Sequence, residues 1–409
     1  MAKGKINISK VLGGKALWPT IYVLVYTFYI VAFSLRMNVN LIRLGYIAYY
    51  AMSIWFFFKI VLKKKQSPFM KSLIFMFVLV IIYATILLIT GTSGWRRQME
   101  TNTFLMVHLE SMVPLFVFYY FGQSGKINSE WFSYISVFFV IDAYMLYYSN
   151  TTIQMESLLN ADEGFINNTG YAWAALLPLI AFLNKRKTIQ YLFIGLVVFF
   201  VLMCVKRGAI IITIIGTLYF LFKSMEKTST SRRVSMLIFG AGLGIIFLNY
   251  FNSLVESNEF FAMRYEDTME GNLSGRDRIF SYFFHYFFSE ENAIHFFFGN
   301  GALGTVKILG IEAHNDWLEY AIDMGFLGVI AYAVYWINAA KNYSFYSKNG
   351  GDKYILMAMG MVLIMNFVRS FMSMSLDNMY FFTSAVLGYT MSMADSLRYN
   401  NRNYKVFTE

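Results

Sequence analysis

Apolar residues in this chain gather into runs long enough to cross a bilayer, separated mostly by short polar turns. Runs of spanning length cover 18–35, 41–62, 73–90, 104–121, 131–148, 191–205, 234–251, 354–372 and 379–393. Segments 170–183 and 209–222 are short for a span, and 326–340 reaches full length only with the amphipathic turn before it. Counted together they predict an all-α polytopic membrane protein of about twelve transmembrane helices. The whole chain, residues 1–409, then forms a single integral membrane domain.

The charges orient that bundle. Cytoplasmic loops are enriched in Lys and Arg. One register collects Lys63, Lys64, Lys65 and Lys71, then Lys185, Arg186 and Lys187, then Lys223, Lys227, Arg232 and Arg233 on one side. The same side holds Lys126, Lys341, Lys348, Lys353, Arg398, Arg402 and Lys405, whereas Glu156, Asp162, Glu256, Glu270, Glu290 and Glu312 fall on the other. Both termini are therefore expected in the cytoplasm. An outer loop is expected at 149–169 and a large extracytoplasmic loop at 252–323, with the aromatic stretch 279–288 suited to the interfacial zone. Lys3, Lys5, Lys10 and Lys15 precede the first run, as in an uncleaved signal anchor.

Composition agrees with the pattern. With 57% hydrophobic and 14% charged residues, the chain has too few charges to coat a water-exposed surface of this size. The net charge of +10 comes mostly from loop residues, with no basic stripe interleaved with stacking aromatics, so nucleic acid is not an expected partner. The one cysteine, Cys204, lies in an apolar run, which excludes a disulfide framework and a zinc spacing.

Candidate chemistry concentrates between Phe298 and Gly328, around Ala313-His314-Asn315-Asp316-Trp317-Leu318-Glu319. Imidazole accepts a proton near neutral pH, so His314 is a candidate base, with helix capping as its structural alternative. Asn315 and Glu319 lie one helical turn apart; Glu319 either orients its neighbours or caps the bundle. Arg96, Arg97, Lys206, Arg207, Arg276 and Arg278 fall at or beyond the outer face, against the charge bias. Guanidinium groups there suit a lipid-linked phosphate, through paired charge-assisted hydrogen bonds. The alternative is pairing with lipid headgroups or loop acids. Gly299 and Gly301 bracket a tight turn, and Gly325 and Gly328 would allow close helix packing.

Four motifs carry a resemblance. Asn167-Asn168-Thr169-Gly170 runs into Leu176-Leu177-Pro178-Leu179, and Val205-Lys206-Arg207-Gly208-Ala209 forms a turn. Ser274-Gly275-Arg276 is followed by Phe298-Gly299-Asn300-Gly301, and His314-Asn315-x-x-Leu318-Glu319 by Gly325 and Gly328. In this order they resemble the O-antigen ligase and O-antigen polymerase family of bacterial membrane glycosyltransferases. The chain departs from that pattern at Lys206, where the family commonly has serine.

The resemblance implies a membrane-embedded glycosyltransferase (GT-C-like) fold with a large outer loop over a lipid-facing cavity, in the bacterial inner membrane. It implies transfer of glycan from an undecaprenyl-pyrophosphate-linked oligosaccharide to an acceptor glycan hydroxyl, without metal or other cofactor. Carried over to this sequence, Arg207 and Arg276 would hold the pyrophosphate and His314 would activate the acceptor. Membrane lipids and assembly proteins such as a chain-length regulator are the other expected partners. The reading preferred within the family is a polymerase of surface polysaccharide repeat units; the alternative is a ligase delivering glycan to a lipopolysaccharide core. A transporter or flippase is the competing class, with Asp142, Glu110, His108 and Arg369 as a charged pathway, unless Asp142 and Arg369 simply pair inside the bundle. Another branch of membrane glycosyltransferases usually has an acid in the first outer loop; Arg36-Met37-Asn38-Val39-Asn40 carries no carboxylate.

Overall fold

A computed structural model describes residues 14–63, 65–90, 95–158, 167–204, 206–226, 230–257, 262, 266, 276–289, 292–376 and 379–406, and every regular element among them is a helix. The first five are α1 (Leu17–Ser34), α2 (Val39–Val61), α3 (Pro68–Thr90), α4 (Trp95–Gln123) and α5 (Ser129–Leu158). A short α6 (Gly170–Ala174) and a 3-10 turn (Leu177–Ala181) lead to α7 (Lys187–Met203), α8 (Arg207–Met225) and α9 (Thr230–Ser257). Three short helices follow, α10 (Arg276–Ser289), α11 (Ala293–Phe298) and α12 (Gly304–Leu309). The chain closes with α13 (Asp316–Lys348), α14 (Lys353–Met372) and α15 (Phe381–Val406).

Among the described residues, eight helices are long and apolar enough to cross a membrane: α1 to α5, α8, α13 and α14. All-helical over its described residues, with eight helices of spanning length, the chain is a polytopic membrane protein. Large apolar side chains such as Leu44, Ile47 and Trp55 on α2, or Leu218 and Phe222 on α8, remain exposed on the helix bundle. Lipid would cover such faces at no desolvation cost.

The segment 170–183 does not form one helix. Pro178 removes a backbone donor, and the chain instead makes α6 and the 3-10 turn, both fully buried. Inside the bundle a broken element needs no spanning length, because neighbouring helices rather than lipid surround it.

Small residues set the central packing, where α4 and α15 run together over much of their length. A side-chain carbon on Gly388 would come within 2.6 Å of the Leu115 carbonyl and 2.8 Å of the Tyr119 nitrogen, both on α4. The close approach therefore requires glycine. Buried polar pairs lock the register: Ser384 Oγ donates to the Ser111 carbonyl (2.9 Å), and Tyr119 Oη donates to Asp395 (2.7 Å).

Helix α13 is broken. Gly325 has φ 66° and ψ −159°, separating a short first half (316–324) from the long apolar second half. The sequence reading gave Gly325 and Gly328 to interhelix packing; instead Gly325 is the break, and Gly328 packs against the Tyr320 carbonyl of the same helix. The freed carbonyls are satisfied by the facing turn, with Asn300 N donating to Ile322 O (2.8 Å) and Gly301 N to Asp323 O (3.0 Å). Tyr83 Oη of α3 donates to the Phe298 carbonyl and fixes the same turn. Gly299 (φ 76°) lies directly against the break; a side-chain carbon on Gly325 would come within 2.5 Å of its nitrogen.

Gly299→Ala should therefore be costly, since both backbone conformation and space forbid it. A loss of about 3 kcal/mol or more is expected. Gly195→Ala, at a mid-helix position with open space around it, should be neutral or stabilising by up to about 1 kcal/mol. Thermal unfolding in detergent, followed by fluorescence, checks the pair; equal melting of both variants would contradict the back-to-back packing.

Candidate functional site

The site begins with the buried turn that precedes α6. Asn167 donates through Nδ2 to Thr151 Oγ1 (2.9 Å) and to the Tyr147 carbonyl (3.3 Å), and accepts from Thr169 N (2.9 Å). Its own backbone nitrogen donates to the Cys204 carbonyl (3.2 Å). Gly170 then packs against Cys204, Lys206 and Ala209, so the two asparagine and arginine motifs of the sequence form one folded corner. Lys206 Nζ donates to Asn168 Oδ1 (2.8 Å), and half-buried Arg207 is the first residue of α8.

Tyr171 sits between two cations, with Lys206 Nζ 6.0 Å and Arg369 Cζ 4.9 Å from its ring centre. Arg369 also lies 5.2 Å from the Tyr380 ring. The face of an aromatic ring attracts a cation, which helps hold a guanidinium out of water. Asp142 is not the partner of Arg369: its carboxylate has no hydrogen-bond partner among the described residues. The alternative by which Asp142 and Arg369 would simply pair inside the bundle is therefore not what the structure shows.

The second wall is the end of α14. Arg276, first residue of α10, donates to the Met372 carbonyl, and Asn315 Nδ2 donates to Phe371 O (3.3 Å). Carbonyls at a helix C-terminus carry partial negative charge and favour a cation. Trp317 reinforces this contact by donating to Ser370 Oγ (3.1 Å) and stacking on Phe371.

His314 joins the two walls. It has φ 53°, in the left-handed region, where a non-glycine residue is held only by its surroundings. On one side Ala313 N donates to Glu319 Oε1; on the other Asn315 caps α13, accepting from Trp317 N (3.0 Å) and Leu318 N (3.3 Å). Glu319 accepts in addition from Thr305 Oγ1 (2.6 Å). Both Asn315 and Glu319 thus spend their oxygens on the protein interior and act on the loop rather than facing outward. The ring itself is 45% exposed, enough to meet a solute.

Arg276 and Lys206, from elements far apart in sequence, both lower the His314 pKa below its ordinary 6.5, after the larger effect of partial burial. Glu312 Oε2 lies 3.9 Å from Nδ1 and opposes them, but both groups are nearly half exposed and water screens the pair. Burial and the two cations together hold the pKa below its ordinary value, so the imidazole is neutral, hence a proton acceptor, at neutral pH. Glu312 was not singled out by sequence reasoning, which saw it only as one outer acid among many; its place two residues before His314 was the available signal. Arg369 and Tyr171 had no motif to announce their stacking.

The remaining candidates divide. Arg278 is exposed in the first turn of α10. Arg96 and Arg97 lie in the first turn of α4, but their side chains fall outside the described residues, as do Val205, Ser274 and Gly275 altogether. No group of three His, Cys, Asp or Glu side chains that could hold a metal ion occurs among the described residues. A cavity of about 580 Å³ whose lining includes Glu130, Arg186 and Asp352 lies at the opposite end of α14, about 30 Å away. Neither any protein-family model nor any curated protein matches the chain.

The charge balance at His314 is measurable. Ring-proton NMR titration in detergent, with His314→Gln identifying its signal, should give a midpoint below 6.5. Removing a neighbouring cation favours the imidazolium, so Arg276→Gln should move that midpoint upward. A wild-type midpoint above 6.5 would mean that Glu312 outweighs the cations.

Proposed function

We propose that this chain is a membrane-embedded glycosyltransferase that polymerises lipid-linked repeat units of a surface polysaccharide at the outer face of a bacterial inner membrane. The observation that supports the reading is the convergence of neutral His314 with Arg276 and Lys206, beside Arg207, at the ends of apolar helices. In this reading the bundle has about twelve spans with both termini in the cytoplasm and belongs to the GT-C-like class. The donor is an undecaprenyl-pyrophosphate-linked oligosaccharide, and the acceptor is a glycan hydroxyl.

The chemistry asks two things of the site. As the acceptor oxygen bonds to the anomeric carbon, the bond from that carbon to the pyrophosphate oxygen breaks. Its electron pair leaves with the pyrophosphate, whose developing charge Arg207, Arg276 and Lys206 stabilise. The acceptor proton passes to His314, for which a lowered pKa is the required state at neutral pH. A helix bundle gives a polyprenyl tail access at membrane depth, and the outer loops give a polar glycan access from water.

In a reconstituted assay with a lipid-pyrophosphate-linked donor, His314→Ala should lower turnover by about 10²–10⁴-fold with donor binding nearly intact. His314→Gln should be impaired equally, because an amide cannot take the proton. Arg207→Lys keeps charge but loses the forked donor pair, so a severe loss with normal membrane insertion is expected. Substantial activity in His314→Gln would reduce His314 to a positioning residue. Products extended by repeat units support polymerase action, whereas transfer only to a lipopolysaccharide core would make the chain a ligase.

A further inference from the structure

A second cavity, of about 520 Å³, is lined by the glycine turn and by residues of α3, α11, α12 and the start of the second half of α13, with none of His314, Arg207, Arg276 or Lys206 in its wall. Its two ends differ in chemistry. Along α3 the wall is apolar, formed by Leu79, Ile82, Ile86 and Leu87, and Leu327 of α13 continues it. The polar part of the lining comes from Lys307, His295 and Asn300, with the bare backbone of Gly299 and Gly301, and from Thr90 at the end of α3. From Leu79 to Thr90 the helix rises about 16 Å, so one occupant would need a polar head and a substantial apolar chain. Lys307 points its ammonium toward the turn, 3.8 Å from where a side-chain carbon on Gly301 would lie.

The sign of the head follows from the lining. Lys307 brings an ammonium to the lining and no carboxylate lines it. Asp323, a buried acid of α13 outside the lining, is engaged by the backbone, accepting from Leu303 N (3.1 Å) and Thr305 N (3.3 Å). A lysine is a point-charge phosphate binder. An apolar wall that stays open, with Ile82 and Ile86 each more than two-fifths exposed, suits a chain rather than water.

We infer that this cavity binds a phosphate-bearing lipid, with the phosphate at Lys307 and the chain along α3. The site is separate from the arginine–histidine centre and stands whether or not the chain transfers glycans. The occupant would rest on the turn that is tied through Thr305 to Glu319, and so to the His314 loop.

The test is native mass spectrometry of the purified full-length protein in detergent, titrated with dodecyl phosphate. Binding at the arginine-lined centre is recognised by its loss in Arg207→Ala. A second bound molecule should persist in that variant, weaken about tenfold or more in Lys307→Ala, and recover in Lys307→Arg. Ile86→Trp, which fills the wall from an exposed position, should also abolish it. Neither inorganic phosphate nor dodecanol should displace it. Displacement by inorganic phosphate would make this a free-anion site, and displacement by dodecanol an unselective apolar groove; either overturns the inference. So would a second binding event indifferent to Lys307→Ala and Ile86→Trp, or the absence of any event beyond the one lost in Arg207→Ala.

Discussion

Three carboxylates on one face of a half-helix hold the functional region together. Asp316, Glu319 and Asp323 are spaced three and four residues apart, which the helical period places on a common face, and all three are buried. A buried carboxylate costs several kcal/mol unless donors replace its water. Here each is supplied. Asp316 accepts from Ser375 N and Oγ, Leu376 N and Tyr332 Oη; Glu319 from Ala313 N and Thr305 Oγ1; Asp323 from Leu303 N and Thr305 N. The segment after α14, the His314 loop and the glycine turn are thereby fixed to one rigid piece. Losing any one acceptor would strand buried donors at about 1–3 kcal/mol each.

This arrangement separates support from display. The carboxylates face inward, and His314, the residue they position, is left half exposed in a left-handed conformation. Lys206 and Arg276 act on it electrostatically from two different elements, each with its own anchor, Asn168 for one and the Met372 carbonyl for the other. A charged group fixed before substrate arrives needs no reorganisation as charge develops, which is how a site of this kind would act on a departing pyrophosphate.

Much of this was readable in the chain. Apolar runs located the helices because bilayer thickness imposes a length that composition cannot hide. His314 stood out by its setting, and the arginines by departing from the side that the charge bias of the sequence assigns to cations. What escaped reading was direction. Glu319 was read as either orienting its neighbours or capping the bundle, and its bond from Ala313 N is of the first kind, but the spacing alone did not say which way it or Asn315 would turn. Gly325 looked like a packing glycine, and only the facing Gly299 turn, more than twenty residues away, reveals a break. Segment 170–183 was short for a span because Pro178 breaks it inside the bundle. The stacking of Arg369 on Tyr171 and Tyr380 joins three distant segments and leaves no local pattern.

That Glu319 works through His314, by holding the Ala313 backbone, can be decided by one comparison. Turnover of folded, reconstituted protein would be measured for Glu319→Gln, His314→Ala and the double variant, with donor binding followed separately. If Glu319 acts only by placing the imidazole, its substitution lowers turnover in the wild-type background and changes nothing further once His314 is alanine. A full, multiplicative loss in the double variant, or a loss of donor binding in Glu319→Gln alone, would contradict this and make Glu319 a direct participant.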